Sequence, residues 1–425
     1  MKVLKTLASA LCLAGSLLLA TAHAADLPRS KPEAEGLSSA RLSRITATLM
    51  SGVNEGRIPG AVLVVGRHGK VVQYDAVGDL GPVPGLPMQR DAIFRIYSMS
   101  KPVTSVAAMI LVEEGRMKLE DPVSRYIPSF GQVQVGVEKP GLNGAPPTLA
   151  LEPARRPITV HDLLRHTSGL TYGFFGNSLV RTAYDQAHLL DDLDNAGLAD
   201  RLASLPLAAQ PGTTWDYSHS TDVLGRVIEV VSGQRLGEFL QQRLFEPLGM
   251  KDTSFYVTDR ARQGRIAEPF EHDRNLGLNA DMGDPRVQRK GESGGGGLVS
   301  TAMDFARFAQ MLRNGGTLDG QRILSPKTIA FMTSDHVGAN IIRTPLYLPG
   351  PGYGFGLGFA VRTAAGEAVN PSEPGTYHWN GAAGTLFWVD PKTDLWVVLM
   401  IQSIKQRDHY RSVLMNMIYG SVIAP

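Results

Sequence analysis

The sequence lacks most of what would point to metal, redox, nucleotide or nucleic-acid chemistry. Cysteine occurs once in 425 residues, as Cys12. That residue lies in a stretch that reads as a secretory leader. Lys2 and Lys5 form a charged start, Leu7 to Ala20 is apolar, and Ala22-His23-Ala24 is a small-x-small cleavage site. Leu11, not a small residue, precedes Cys12, so the context is not one for lipid attachment. Without residues 1–24 no cysteine is left, which excludes a disulfide, a thiol nucleophile and a cysteine metal site. The ten histidines show no His-Glu-x-x-His or other zinc spacing, so no metal is implied. Charge of one sign is not in surplus. Loss of Lys2 and Lys5 leaves 40 basic against 40 acidic residues, so nothing favours nucleic acid or an anionic membrane. No second long apolar run follows, so stable membrane insertion is not expected after cleavage. The glycines of Gly352-Tyr353-Gly354-Phe355-Gly356 precede a strand rather than a helix, so they do not form a phosphate loop. No cofactor is expected. The leader makes the protein an exported one, periplasmic or secreted.

What remains is an ordinary globular composition, 43% hydrophobic and 19% charged, long enough to bury a core without staples. Leu42, Ile45, Leu49 and Val53 predict an amphipathic helix over 39–54. Ala61 to Val65 and Val71 to Tyr74 read as a hairpin about His68-Gly69. Residues 131–157 are rich in Gly, Pro and Ala and read as a long surface insertion. Helices are expected from Thr159, across 180–205, over Ser220–Ser232, over Leu236–Phe245 and over Thr301–Asn314, the last with Thr301 and Asp304 as a capping pair. Tyr353–Val361, Thr385–Val389 and Leu395–Ile401 read as strands, and a last helix carries Tyr410, Leu414 and Ile418. Strands cluster at both ends and helices in the middle. The expected fold is α/β (α+β): an antiparallel sheet from both termini, flanked by helices, with an inserted mainly helical subdomain. In residue numbers, a leader over 1–24 precedes one domain over 25–425. The sheet part takes about 30–95 and 320–425, and the helical part about 96–319. A site would lie in the crevice between them.

One stretch carries candidate chemistry: Phe94-Arg95-Ile96-Tyr97-Ser98-Met99-Ser100-Lys101-Pro102. Ser98 and Lys101 stand three apart, on one face of a helix starting here. Serine is a poor nucleophile until something takes its proton, and a lysine shielded from water can do that. The helix start adds unpaired N–H groups that favour a developing oxyanion. Ser-x-x-Lys alone is a weak pattern, though of twelve lysines only Lys101 has a serine three before it. Two further stretches add to it. Tyr217, in Trp215-Asp216-Tyr217-Ser218-His219, could shuttle a proton beside a lysine. Trp379-Asn380-Gly381-Ala382-Ala383-Gly384 has the small residues that let a backbone N–H approach substrate.

Together these stretches resemble the serine beta-lactamase-like superfamily, and most closely its carboxylesterase branch, the family VIII esterases. The resemblance extends over Leu164-Arg165-His166-Thr167-Ser168-Gly169-Leu170, Pro211 to Trp215, Gly295 to Thr301 and Ala383 to Pro391. It implies that Ser98 is the nucleophile, Lys101 its base, and Tyr217 a partner in activating Ser98 and protonating the leaving group. The backbone N–H groups of Ser98 and Ala382 would form the oxyanion hole, with an acyl-enzyme on Ser98. Where beta-lactamases carry a lysine and then a threonine, this chain has Trp379 and Asn380. An indole offers an apolar wall and one donor, not a cation. The tyrosine motif ends in His219 rather than asparagine. Both departures favour esters over carboxylated amides. Trp379, Asn380 and Gly381 would line the substrate site, with Tyr172, Phe174, Phe175 and Trp215 as candidate apolar lining.

The expected function is ester hydrolysis on a small-molecule substrate; oligomeric state is not indicated. A beta-lactamase, a D-amino-acid peptidase or an acyltransferase of the same fold is the enzymatic alternative. A non-catalytic wall-binding or sensor relative is the other, though Ser98, Lys101 and Tyr217 are all present. Gly291-Glu292-Ser293-Gly294-Gly295 fits Gly-x-Ser-x-Gly, but a charged segment precedes it and glycines follow, so a nucleophile elbow is not expected.

Overall fold

The structure is a computed structural model describing residues 26–274 and 282–424. The leader expected over 1–24 lies outside the described residues. Helix α1 (Ser39–Asn54) starts where Ser38 Oγ accepts the Arg41 N–H at 3.3 Å. Strands β1 (Gly60–Arg67) and β2 (Lys70–Gly78) turn at His68 and Gly69, with φ of 50° and 77°. Two left-handed residues in succession match the twist of the strands that they join. A short 3-10 turn (Tyr97–Met99) leads into α2 (Ser100–Glu113), which ends before Gly115 at φ 69°. Every α2 residue from Ser100 to Leu111 is buried, so this helix is central and not amphipathic.

Residues 131–157 differ from the expectation of an irregular insertion. They contain an antiparallel hairpin, β3 (Gln134–Lys139) and β4 (Thr148–Pro153). Next comes α3 (Val160–Leu164), started by a capping box of Thr159 and Asp162. The stretch 180–205 divides into α4 (Leu179–Asp185) and α5 (Asn195–Ala203). Helix α6 (Ser220–Ser232) closes at Gly233 with φ 77°. Helix α7 (Ala302–Arg313) is capped by Thr301 Oγ1, but the Asp304 carboxylate does not return the bond. It accepts instead from the Asp252 N–H at 2.7 Å and Thr253 Oγ1 at 2.9 Å.

The C-terminal part supplies β5 (Tyr353–Phe355), β6 (Ala360–Arg362), β7 (Tyr377–Asn380), β8 (Leu386–Asp390), β9 (Leu395–Met400) and then α8 (Arg407–Tyr419). With β1 and β2 these make one seven-stranded sheet in the order β5-β6-β7-β8-β9-β1-β2, every neighbour antiparallel. The seam between the two ends of the chain is β1 against β9, with Val62 opposite Met400. One face packs Leu63, Val65, Val397 and Leu399 under Ile45 and Leu49 of α1 and Tyr410, Leu414 and Ile418 of α8. The other face buries Val62, Val64 and Val398 in a core that runs on into α2 and α6. Helix α7 falls inside the stretch read as the helical part, yet it packs on β1, β8 and β9, with Phe305 and Phe387 rings 4.9 Å apart. Alternation in β7 sends His378 toward Arg411 and Met415 of α8 and Trp379 to the other face, where its ring lies 5.4 Å from Tyr217 and from Phe355.

Candidate active site

The site is assembled where the 3-10 turn before α2 meets the end of β7. Tyr97 has φ 42°, a conformation that a non-glycine residue rarely adopts, and it makes the turn sharp. Ser98 follows, partly exposed. Lys101 lies one turn on and is 1% exposed. Its Nζ donates to the Gly295 carbonyl at 2.7 Å, the Tyr172 hydroxyl at 3.2 Å and Ser98 Oγ at 3.4 Å. The segment after β7 abuts this turn. Gly381 comes so near that a Cβ would lie 2.4 Å from the Ile96 carbonyl oxygen, so only glycine fits. Ala382, next in the chain, is partly exposed beside it.

Tyr217 and Tyr172 occupy different places. The Tyr217 ring centroid is 4.5 Å from Lys101 Nζ, and its hydroxyl accepts from Trp379 Nε1 at 3.2 Å. The hydroxyl that touches Lys101 belongs to Tyr172, which the sequence suggests only as apolar lining. Burial pushes the Tyr172 phenol well above its usual range, and the negative Asp222 adds to this, so it stays protonated. Behind Tyr217 lies His166, with ring centroids 4.9 Å apart; burial and then the charge of Lys101 hold it well below its ordinary pKa, as a neutral ring. Trp215 does not line the crevice. It is fully buried and stacks behind Tyr217 at 6.1 Å, which corrects its assignment as a substrate contact. Phe174 stacks on Tyr172 at 4.7 Å, and Phe175 lies 6.1 Å from both Tyr172 and Tyr217. Rings thus wall one side of the crevice, with Phe174 39% exposed at the rim.

A buried ion pair fixes the spacing of the two tyrosines. Arg181 of α4 donates from Nη1 to the Tyr172 carbonyl at 3.1 Å and from Nη2 to the Asp216 carboxylate at 2.8 and 3.0 Å. Burial raises the Asp216 carboxyl above its usual range, against the pull of Arg181. Arg181→Met strands that carboxylate. The expected loss is about 3–5 kcal/mol of stability, the size typical of an uncompensated buried charge. Thermal melts would measure it, and the double variant with Asp216→Asn should recover most of the loss. A melt unchanged in Arg181→Met would mean that the pair does not hold these segments.

Ser293 is not poised on a nucleophile elbow. It lies in an irregular loop, and its Oγ donates to Asp222 at 2.5 Å. Asp222 and the Gly295 carbonyl were not picked out from the sequence. The visible signals were a carboxylate three residues after His219 and a run of glycines, neither distinctive alone.

A family model described as Beta-lactamase matches residues 42–415. The chain belongs to the beta-lactamase family. It is 39% identical over 366 residues to Protein Rv1367c of Mycobacterium tuberculosis (strain ATCC 25618 / H37Rv), covering 84% of this chain and 88% of that one. To Esterase EstB of Burkholderia gladioli it is 32% identical over 397 residues, covering 87% and 92%. Among solved structures, EstCE1, described as a hydrolase with promiscuous acyltransferase activity, superposes with a TM-score of 0.73 at 28% identity, over 91% of this chain and 99% of that one. Simvastatin Synthase (LovD) from Aspergillus terreus gives the same TM-score at 23% identity, over 90% and 99%, and supports the fold alone. The fold is therefore that of the beta-lactamase and transpeptidase enzymes. Membership makes the chain an enzyme of the serine hydrolase and acyl-transfer type.

Proposed function

We propose that the protein cleaves carboxylic esters through an acyl-enzyme on Ser98. The observation that carries this reading is the buried Lys101 side chain, its Nζ 3.4 Å from Ser98 Oγ, in a crevice whose third motif offers Trp379 rather than a cation. Lys101 in its free-base form takes the Ser98 proton as Oγ attacks the ester carbonyl. The N–H groups of Ser98 and Ala382 hold the resulting oxyanion. Collapse of the tetrahedral adduct breaks the ester C–O bond. The proton carried by Lys101 passes to the leaving alcohol, with Tyr217 and Tyr172 as the hydroxyls at hand. Water repeats the sequence on the acyl-enzyme and releases the acid. The expected leader makes this an exported enzyme, periplasmic or secreted, acting on a small-molecule ester.

The substrate side is apolar. Tyr172, Phe174, Phe175, Tyr217 and Trp379 present rings, and Arg181 is taken up by Asp216. No free cation is thereby offered to a substrate carboxylate by these residues. A paired assay with p-nitrophenyl butyrate and nitrocefin tests this. The ester kcat/KM should exceed that of nitrocefin by roughly a hundredfold or more, as expected where a charged group finds no partner. Efficient nitrocefin turnover would move the assignment to a beta-lactamase. A second reading, transfer of the acyl group to an alcohol, is favoured by the exposed ring at the rim and by the promiscuous acyltransferase activity of EstCE1. Adding a primary alcohol to the same assay and measuring new ester by mass spectrometry decides between water and alcohol as the acceptor.

A further inference from the structure

Gly295 stands between Lys101 and Asp222. Its carbonyl accepts from Lys101 Nζ at 2.7 Å, and its N–H donates to Asp222 Oδ1 at 3.0 Å. The contact is close enough that a Cβ on Gly295 would meet the Asp222 carboxylate at 2.9–3.1 Å, so a side chain there would push the loop away. Asp222 is 7% exposed and is held by two more groups, Ser293 Oγ at 2.5 Å and His219 Nδ1 at 3.0 Å. Burial opposes its ionisation, but the hydrogen bond from His219, then the charges of His219 and Lys101, keep the carboxyl down at about 2. A carboxylate this enclosed needs a counter-charge, and none of its hydrogen bonds comes from an arginine or lysine.

The groups facing this pair come from four elements. Helix α2 and the 3-10 turn before it contribute Lys101 and Ser98, and the segment after α3 contributes His166 and Tyr172. Tyr217, His219 and Asp222 come from the start of α6 and the turn before it, and Ser293 from the glycine loop. Burial keeps His166 neutral and Tyr172 protonated. His219 and Lys101 are left facing the Asp222 carboxylate, His219 by direct contact and Lys101 across Gly295.

We propose that Asp222 is a positioning residue: the buried counter-charge that holds Lys101 against the Gly295 carbonyl and balances the positive charge that Lys101 acquires when Ser98 attacks. It acts through Gly295 and does not touch substrate. The proposal rests on the assignment of Ser98 and Lys101 made above.

Its consequence is a pH profile. Lys101 can take the Ser98 proton only with a free lone pair, so an anion facing it bears on the acid limb of kcat/KM. A neighbouring anion favours the ammonium. Removing the anion lets the proton leave at lower pH, so the acid limb moves down. Asp222→Asn keeps the shape and one acceptor oxygen. Its acid limb should fall by on the order of one pH unit, as expected for a facing charge in a site of intermediate dielectric. Its plateau kcat should drop by up to about tenfold, the rate equivalent of that one-unit shift, because the ammonium formed in the transition state has lost its counter-charge, while KM changes little.

The experiment is the pH profile of kcat/KM on p-nitrophenyl butyrate for the wild type, Asp222→Asn, His219→Asn and Ser98→Ala. His219→Asn retains a donor toward Asp222 without a titrating ring, and its limb should match that of the wild type. A limb that disappears in His219→Asn assigns the ionisation to the histidine and overturns the proposal, even if Asp222→Asn does not fold. An unmoved limb in Asp222→Asn overturns it also, and shows that the residue only packs the glycine loop. Ester turnover surviving in Ser98→Ala sinks the assignment of the nucleophile instead.

Discussion

Ser98→Ala is expected to lower kcat for ester hydrolysis by about 10⁴-fold or more, the scale seen when a covalent nucleophile is removed. The size follows from the absence of a substitute. Ser293 is tied to Asp222 at 2.5 Å, and Tyr172 is tied to Lys101 at 3.2 Å. Ser98 alone stands on the strained turn behind Tyr97, partly exposed and within reach of Lys101. Alanine removes one oxygen and no packing, and Lys101 keeps its bonds to Gly295 and Tyr172. The variant should therefore melt with the wild type and fail only in chemistry. A fluorophosphonate probe followed by mass spectrometry should label Ser98 in the wild type and nothing in the variant. Residual turnover above one part in about a hundred would place the nucleophile elsewhere.

Lys101→Met should cost about 10³-fold in kcat/KM, near the middle of the range for general acid–base catalysis. Methionine has similar length and suits a site that is 1% exposed, so the helix should survive. Two defects remain in it. The Gly295 carbonyl loses its donor, and Asp222 loses its facing charge. The lost rate should not return at alkaline pH, because no base remains to be uncovered. Full recovery above about pH 9 would mean that hydroxide or another side chain can take the Ser98 proton, and would move the base role away from Lys101.

Local signals in the sequence carried well. Helix α1 begins and ends where its apolar spacing places it, and the His68-Gly69 turn is a two-residue hairpin turn. Gly233 stops α6 in the left-handed conformation expected of it. The hairpin of β3 and β4 was not legible, because its inward side is thin. Val135 is buried, but most of β4 is exposed, so no clear alternation marks it. The single helical stretch over 180–205 is interrupted where His188 takes a left-handed φ of 52°, which no apolar spacing signals.

The site divides in the same way. Ser98 and Lys101 are three residues apart and were visible as a pair. Tyr172 and Asp222 reach Lys101 and Gly295 from 71 and 73 residues away, and no local pattern encodes such meetings. Trp215 was misplaced for another reason. A large ring beside a candidate tyrosine suggests a wall, but a strand-like approach to Tyr217 turns it inward, where it is fully buried.

The sheet closes on a seam between the two ends of the chain, and this sets a timetable for synthesis. All eight residues of β1 are buried in the finished protein, and one of its edges is completed only by β9. Val62 leaves the ribosome long before Met400 is made. At usual elongation rates the gap is on the order of tens of seconds. Through that interval the first hairpin offers a bare, apolar strand edge, the kind that other chains join. Pairing across such a span is also slow to form, since the whole loop must be gathered first. Any truncation before Leu395 makes that interval permanent.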